Sequence, residues 1–395
     1  MPYAFSLDDV AFLRSREGAR ALADCGGLRL TPAGRLADVA TVRRTVGERY
    51  AAAVLETLLL RSKAEPKVDG GSGWLFTEDA LQQASASPVA AHRARGLAGR
   101  DVHDVTCSVG ADLVALATTA RRCVGSDLDA VRLAMAEHNC AVAGVAPALV
   151  RADALRPVTR DAVIVADPAR RDSAGRRRWR PEDFVPALDD LASVYAGREL
   201  VVKCAPGLDP AAAPWAREVE VISLDGRVRE AALRSAGQVG VSRRATVLSS
   251  GGPGWSITDA EPDEVGSGAA GEWIVDPDGA VVRAGLVRHY AARHGLWQLD
   301  PRIAYLTGDT PPPGVRAFRV LDSGHYSEKA LRTLLRRHDV GRLEILVRGL
   351  DVDPDALRRR LKPKGGGEAS VVLTRIGRAP TAFLCRSERV PGRPG

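Results

Sequence analysis

The stretch Asp104-Val-Thr-Cys-Ser-Val-Gly110, followed directly by Ala111-Asp-Leu-Val-Ala-Leu-Ala117, decides the fold of this chain. The pattern is typical of a short strand, a tight turn and the start of a helix. In α/β folds, turns of this kind at the carboxyl ends of strands hold nucleoside-like cofactors. The turn has one well-placed glycine, Gly110, and lacks the G-x-G-x-x-G spacing that lets backbone approach a pyrophosphate. The pattern therefore favours a nucleoside cofactor without phosphates and argues against an NAD-dependent dehydrogenase.

The composition limits the class of protein. The chain has 395 residues, of which 45% are hydrophobic, and this length predicts about two or three globular domains. No stretch approaches the ~20 continuous apolar residues of a membrane span, and Asp8-Asp9 stands where a signal peptide would be basic. We therefore expect a cytoplasmic protein without membrane contact. The six cysteines form no C-x-x-C pair, so neither a disulfide framework nor a metal site is predicted.

The chain divides into four predicted segments. Residues 1–95 form a helical region, because apolar residues recur every four positions from Val46 to Leu58. Residues 96–270 alternate short apolar runs with amphipathic stretches and end in a Gly-, Pro- and Ser-rich linker at 250–271, which indicates a parallel sheet with crossover helices. Residues 271–315, with a predicted helix at 280–294, are a connecting segment. Residues 316–395 form a small α+β domain.

The sheet is predicted to be Rossmann-like, with about seven strands. Strands are expected near 102–107, 122–126, 147–150, 162–166 and 199–203, with helices near 111–120, 129–143 and 182–196. Two more strands flank Asp225-Gly226, a hairpin signal, and another covers 245–249. The fold class is therefore α/β, with an antiparallel element late in the strand order.

Acids follow the predicted strands at the edge where a ligand would bind. After the Asp104 turn comes Asp127, about twenty residues on, which can accept hydrogen bonds from both hydroxyls of a ribose. Asp153-Ala154 follows the third strand, where a carboxylate can accept from an adenine amine. Asp167 follows the fourth strand, in Asp167-Pro-Ala-Arg170.

Each acid taken alone also has a purely structural explanation. Asp129, two residues after Asp127, can cap the helix that it precedes. Asp153 can form a turn, and Asp104 can accept from backbone amides in its own turn. Four acids in order at one edge of one sheet nevertheless favour a binding site.

These residues resemble the class I S-adenosylmethionine (SAM)-dependent methyltransferases over residues 75–250. The resemblance implies SAM as the cofactor, with its methionine part at the glycine turn, its ribose at the acid after strand two and its adenine at the acid after strand three. The cofactor-binding residues that it implies are Gln83, Asp104, Cys107, Ser108, Gly110, Asp127, Leu128, Asp153 and Ala154.

Within that class, the Asp104–Gly110 run with Glu137-His-Asn139 is most similar to RNA cap-guanosine and related RNA methyltransferases. In those enzymes a helical segment ahead of the fold supplies a serine or threonine and a glutamine near the cofactor. The matching candidates here are Thr77, Gln83 and His92.

Asp167-Pro168 stands where many amine-directed methyltransferases carry Asp/Asn/Ser-Pro-Pro-aromatic. A carboxylate and a neighbouring carbonyl there hold an exocyclic amine by its hydrogens, so that its lone pair points at the methyl group. The resemblance thus implies Asp167, Pro168 and Arg170 as catalytic residues. The chain departs from the motif in having Ala169-Arg170 at its end, so the aromatic stack on a base must come from Trp179 or Phe184, unless these are core residues.

Two features suggest RNA as the partner. The Arg170–Arg180 segment holds six arginines and Trp179, which can bind phosphates and stack on a base or can simply be a solvated loop. Residues 316–388 resemble the THUMP-like domain of a group of bacterial methyltransferases, and THUMP domains proper bind RNA. We therefore expect a methyltransferase that acts on a base amine of tRNA or rRNA. The alternatives are a small-molecule or protein methyltransferase and an inactive RNA-binding module.

Overall fold

The computed structural model describes residues 3–31, 33–170 and 184–391. It contains two compact units: the first is Met1–Asp225 with Arg229–Gln238 and Leu248–Pro253, and the second is Gly226–Val228 and Val239–Val247 with Gly254–Gly395. The α-helices of the described residues are α1 (Leu7–Arg14), α2 (Arg16–Asp24), α3 (Arg35–Ala64), α4 (Glu78–Gln83), α5 (Ser87–Arg95), α6 (Ala111–Thr119), α7 (Ala130–Val142), α8 (Leu188–Val194), α9 (Gly279–Arg283), α10 (Val287–His294), α11 (Glu328–Arg337) and α12 (Pro354–Leu361).

The strands build two main sheets and one short pair. They are β1 (Asp101–Asp104), β2 (Arg122–Asp127), β3 (Ala148–Arg151), β4 (Val163–Ala166), β5 (Ala169–Arg170), β6 (Phe184–Val185), β7 (Leu200–Cys204), β8 (Glu218–Leu224), β9 (Arg227–Arg234), β10 (Arg243–Ser249), β11 (Gly252–Thr258), β12 (Trp273–Val275), β13 (Trp297–Gln298), β14 (Leu306–Gly308), β15 (Arg316–His325), β16 (Val340–Val347), β17 (Gly367–Ile376) and β18 (Ala379–Arg389).

The first unit begins with helices that share one apolar core. Ser6 caps α1 and its backbone N–H is bound in return by Asp9, a reciprocal capping box that fixes where the helix begins. Helices α1 to α3 bury their apolar side chains against Trp74 and Phe76, which lie just before α4. Gly47 adopts φ 76° inside α3 and kinks that helix.

The larger sheet carries the predicted α/β topology. Its order among the described strands is β11-β10-β8-β9-β7-β4-β1-β2-β3. Strands β3, β2, β1, β4 and β7 are parallel neighbours, and β9 pairs with β7 in the antiparallel sense. The α/β class and the late antiparallel element are confirmed.

The sheet has nine described strands, one more than the eight ranges predicted from the sequence, because β11 forms in the predicted linker. The glycines and Pro253 of that segment indicated a loop. However, β11 lies at the end of the strand order, where a proline is tolerated because an edge strand has N–H groups without ladder partners. Buried Ile257 anchors the strand.

The second unit carries a sheet in the order β13-β14-β12-β15-β18-β17-β16. Strands β12 to β14 come from residues 271–315, so that segment contributes to the same sheet as the strands after residue 315. The helix expected at 280–294 is two helices, α9 and α10, because Gly285 between them has φ 70°, which ends a helix. Within the described ranges, no helix has the length and apolar character needed to cross a membrane.

Candidate functional site

The turn after β1 opens the candidate site. β1 ends at Asp104, earlier than the predicted strand end, and the chain then turns through Ser108 and Gly110, which have φ of 50° and 90°. The Gly110 N–H donates to the carbonyl of Cys107 at 2.8 Å, which closes the turn, and α6 begins at the next residue. Gly110 is thus required by its positive φ, and it supports the turn without lining the cavity.

A cavity of about 410 Å³ lies at the carboxyl ends of β1, β2, β3, β4 and β7. This volume falls within the range of about 300–1,000 Å³ that is usual for small-molecule sites. Among the residues predicted from sequence, those that line it are Gln83, Asp104, Cys107, Ser108, Asp127, Leu128, Asp153, Ala154 and Asp167.

Three predicted residues have other positions. Gly110 lies behind the turn, and Pro168 is buried after β4 without lining the cavity. Arg170 belongs to β5 by its backbone, but its side chain and the rest of the arginine-rich segment, from Arg171 to Arg180 with Trp179, lie outside the described residues. Phe184, the other stacking candidate, is a core residue with 2% of its surface exposed.

Asp127 ties the turn to the end of β2. Its Oδ2 accepts from the Ser108 N–H at 3.0 Å, and its Oδ1 accepts from the Asp129 N–H at 2.9 Å. A carboxylate oxygen can accept more than one hydrogen bond, so this half-buried group can also accept from ligand hydroxyls.

The structural explanations for the other acids hold in part. Asp129 accepts from the N–H groups of Val131 and Arg132, so it is the N-cap of α7. Asp153 accepts from the Leu155 N–H at 2.9 Å and thereby forms a turn, yet it also lines the cavity. Asp153 can therefore serve both the turn and a ligand.

The walls between these acids are largely apolar. Leu128 lines the cavity with 61% of its surface exposed, whereas Ala154 is buried. Burial raises the pKa of the Cys107 thiol well above its ordinary value, so this residue lines the cavity as an un-ionised group. An apolar ring with polar edges would fit such walls.

Asp104 is a carboxyl group in an unusual state. Only 3% of its surface is exposed, and its Oδ1 accepts from the Thr106 N–H at 3.2 Å. Burial, with the nearby Asp112 carboxylate as the next cause, raises the pKa of Asp104 to about 8. Asp104 is thus largely protonated at neutral pH and can donate a hydrogen bond.

Asp167 is held by two neighbours. Its backbone N–H donates to Thr106 Oγ1 at 2.6 Å, and its Oδ2 accepts from Lys203 Nζ at 2.6 Å. Lys203 also donates to the carbonyl of Gln83 at 2.9 Å. Burial lowers the pKa of Lys203, but Asp167 and other nearby acids outweigh burial and raise it overall, so the lysine is cationic.

Sequence reasoning missed Lys203, although one signal in the sequence points to it. It is a charged residue in the buried strand Leu200-Val-Val-Lys-Cys204. The register of the sheet explains why Lys203 meets Asp167. Ala166 at the end of β4 pairs with Val202 of β7, so Asp167, the residue after β4, lies beside Lys203.

A second missed feature is a buried ionic cluster at the cavity. Arg93 of α5 donates to Asp112 of α6 and to Glu230 of β9, and only 2% of its surface is exposed. The Ser85 hydroxyl lies within hydrogen-bond distance of the same two carboxylates, at 3.0 and 3.3 Å. Arg93 and Asp112 line the cavity, so a buried ion pair forms part of the cavity wall.

The segment ahead of the sheet is attached through α7. Asn139 is fully buried; its Oδ1 accepts from the Leu75 N–H at 2.7 Å, and its Nδ2 donates to the carbonyls of Leu75 and Val109 at 2.9 and 2.8 Å. Thr77 caps α4, and His92 contacts Glu220 at 2.7 Å. Neither Thr77 nor His92 lines the cavity, so of the three matching candidates only Gln83 does so.

Comparisons with known proteins decide the family. Two proteins of Mycobacterium tuberculosis, from strains CDC 1551 / Oshkosh and ATCC 25618 / H37Rv, are each 55% identical to this chain over 363 residues, 88% of this chain and 100% of theirs. Both are named as uncharacterized SAM-dependent methyltransferases. The chain belongs to the SAM-dependent methyltransferases.

The other comparisons concern the fold and the parts of this methyltransferase. A crystal structure from Porphyromonas gingivalis W83, of a protein named as a methyltransferase, matches 98% of this chain and 100% of its own, with a TM-score of 0.74 at 19% identity. It confirms the fold. Residues 315–387 match the THUMP domain-like family, as expected from the sequence, and residues 6–64 match a domain of unknown function.

The cofactor of this methyltransferase is SAM, and the cavity suits it. Carboxylates at the ends of β2 and β3 can accept from a ribose and an adenine amine, and apolar surface lies between them. The positive sulfonium is favoured because the described lining has, besides the protonated Asp104, five aspartates against three cations. The five are Asp112, Asp127, Asp153, Asp167 and Asp190, and the cations are Arg93, Arg132 and Lys203.

Proposed function

We propose that this methyltransferase modifies RNA, at an exocyclic amine of a base that Asp167 orients from the loop that Pro168 stiffens. Asp127 would hold the ribose of SAM, Asp153 and Ala154 its adenine, and the turn from Cys107 to Gly110 its methionine part. When bound, SAM supplies an electrophilic methyl group on its sulfonium. The remaining chemistry is orientation of the acceptor.

The state of Asp167 supports its role. The Lys203 ammonium favours the ionised carboxylate, and Oδ1 of Asp167 has no hydrogen-bond partner among the described residues. This oxygen can accept a hydrogen from an amine and then the proton that the amine loses after transfer. Pro168 has no N–H, so this residue adds no backbone donor that would compete with the amine for Asp167.

The acid-rich cavity is the observation that carries the choice of a base amine. An amine donates to carboxylates, whereas a phosphate would be repelled by the excess of aspartates among the described lining residues. An RNA substrate would therefore place one base in the cavity and keep its backbone outside, as base-modifying enzymes do with an extruded nucleotide.

Features outside the cavity support the RNA backbone as a partner. In the second unit, a groove of about 420 Å³ is lined by Arg332, Arg336, Lys362 and Lys364 with one acid, Asp339. Arg336, Lys362 and Lys364 make no ion pair with any residue in the described ranges. Cations are favourable at the ends of α11 and α12 in any case. Their convergence on one groove, in the THUMP-like region of a chain with net charge +7, favours phosphate binding.

The experiment is methyl transfer from tritiated SAM to total RNA of a strain that lacks this protein, followed by nucleoside analysis. We expect label in a methylated base, and none with the Asp167→Ala variant. The same incubation with the protein and small-molecule fractions of that strain tests the alternative substrates. Label only in one of those fractions would replace RNA with that substrate class, because their amines also suit an acid-rich cavity.

A further inference from the structure

We propose that Lys203 is a positioning residue for methyl transfer: it fixes the Asp167 carboxylate in the orientation and charge state that bind the acceptor amine. The inference rests on the proposed role of Asp167. Lys203 itself is not expected to touch the reacting atoms. It acts through the carboxylate that it holds.

The geometry is that of a bridge. Lys203 Nζ lies 2.6 Å from Asp167 Oδ2 and 2.9 Å from the carbonyl of Gln83, at the end of α4. The side chain of Lys203 is 13% exposed and that of Asp167 35%, so the ion pair forms one edge of the cavity. With Oδ2 bound to the lysine, Oδ1, which has no hydrogen-bond partner among the described residues, is available to the substrate.

The surroundings make the lysine necessary. The charged groups that act on Asp167 and Lys203 from the described elements around them are Lys67, Arg93, Asp112 and Glu230, and the buried Asp104 carboxyl lies near Asp167 as well. Arg93 is already paired with Asp112 and Glu230. Without Lys203, Asp167 would therefore face nearby acids without a cation of its own.

The consequence for Asp167 follows from that imbalance. Loss of the paired cation and proximity to like charges both disfavour the carboxylate form of Asp167 in the variant. A protonated carboxyl presents an O–H donor to the amine and has lost acceptor capacity. Transfer by the variant would then be slow at neutral pH and faster at higher pH.

The test compares Lys203→Met, Lys203→Arg and Lys63→Met with the wild type, using tritiated SAM and total RNA from the strain without this protein, at pH 6 to 9. Lys203→Met removes the cation at similar size, and we expect its rate to fall by about 10²-fold at pH 7, the usual scale of a misplaced acceptor. The loss should shrink towards pH 9. Lys203→Arg should restore most of the rate.

Lys63→Met is the matched control, because Lys63 pairs with Glu78 at 3.4 Å on an exposed part of the first unit. It should leave the rate and its pH profile unchanged. Calorimetric titration should find the SAM affinity of Lys203→Met within about threefold of wild type, a small change on the scale of tenfold per 1.4 kcal/mol. A wild-type rate in Lys203→Met, or a loss of the same size at every pH, would overturn the positioning role.

A second measurement separates the positioning role from a simple loss of folding in Lys203→Met. The melting temperature should fall in Lys203→Met and recover in the double variant Lys203→Met/Asp167→Asn, because the second change removes the uncompensated carboxylate. No recovery would mean that the lysine packs without serving Asp167. The absence of RNA label with the wild type would instead refute the proposed function.

Discussion

At the residue scale, substitutions of two cavity aspartates should have opposite effects on the transfer rate and on the affinity for SAM. Asp167→Ala should abolish transfer and leave SAM affinity within about tenfold, because its proposed role is to hold the acceptor. Asp127→Ala should weaken SAM by more than that, since it removes the proposed acceptor for the ribose hydroxyls and also the hydrogen bond to Ser108. Calorimetry gives the affinities and label transfer at saturating SAM gives the rates. Near-normal turnover of Asp167→Ala would remove it from the acceptor site.

The raised pKa of Asp104 predicts how the stability of the folded protein depends on pH. Its pKa in the folded protein, about 8, lies above its ordinary value of 3.8. The folded state therefore holds a proton that the unfolded chain has lost, so this contribution to stability is complete below pH 3.8 and is lost as pH rises through 8. In that window one group changes the free energy of unfolding by about 1.4 kcal/mol per pH unit.

The variant Asp104→Asn keeps an oxygen for the Thr106 N–H and cannot ionise. Without SAM, its free energy of unfolding in urea should fall less steeply between pH 5 and 8 than that of wild type, and should be the higher of the two at pH 8. Asp161→Asn, at an exposed carboxylate, is the control. Parallel profiles for wild type and Asp104→Asn would show that Asp104 is ionised in the folded protein.

At the scale of elements, Asn139 joins α7 to two loops that border the site. Its replacement by alanine leaves buried groups of Leu75 and Val109 without partners, which should cost roughly 2–5 kcal/mol of unfolding free energy. Glu137→Ala on the same helix breaks only an exposed ion pair with Arg14 and should cost about 1 kcal/mol or less. Equal losses in the two variants would mean that Asn139 does not hold the segment before α4.

The elements that sequence predicted well are those with local signals. The helix predicted near 111–120 is observed at 111–119 and begins directly after Gly110. The helix predicted near 129–143 is observed at 130–142, with Asp129 as its N-cap. The strand β11 was missed because glycine and proline indicate loops, whereas the edge position that tolerates them depends on the whole sheet.

The candidate site shows the same division between local and distant information. The acids that follow β1, β2, β3 and β4 could be predicted because parallel strands end at one edge. Lys203 and the Arg93 cluster could not, since their partners lie far away in sequence and meet only through the strand order and register. The sequence signal of such a contact is a charged residue inside an apolar strand, because a buried charge needs a partner.

At the scale of the whole molecule, the two pockets differ in the sign of the charged side chains that line them. The chain has a net charge of +7, yet the cavity of the first unit is rich in aspartate, while the charged residues that line the groove of the second unit are four cations and one acid. A polyanion with one uncharged reactive base matches that distribution. A small neutral substrate would have no use for the basic groove.

This separation predicts how RNA binding responds to salt. The triple variant Arg336→Ala/Lys362→Ala/Lys364→Ala removes the groove cations that make no ion pair with a described residue. It should flatten the slope of log K against log salt by up to about 2 for three contacts with single-stranded RNA.

A control triple at exposed sites of the first unit, Arg20→Ala/Arg43→Ala/Lys63→Ala, removes the same charge. It should change the slope far less, because counterion release depends on phosphates in contact and only weakly on net charge. Filter binding with total RNA between 50 and 300 mM salt measures both. If the two triples lower the slope equally, the groove makes no specific phosphate contact, and net charge alone attracts the RNA.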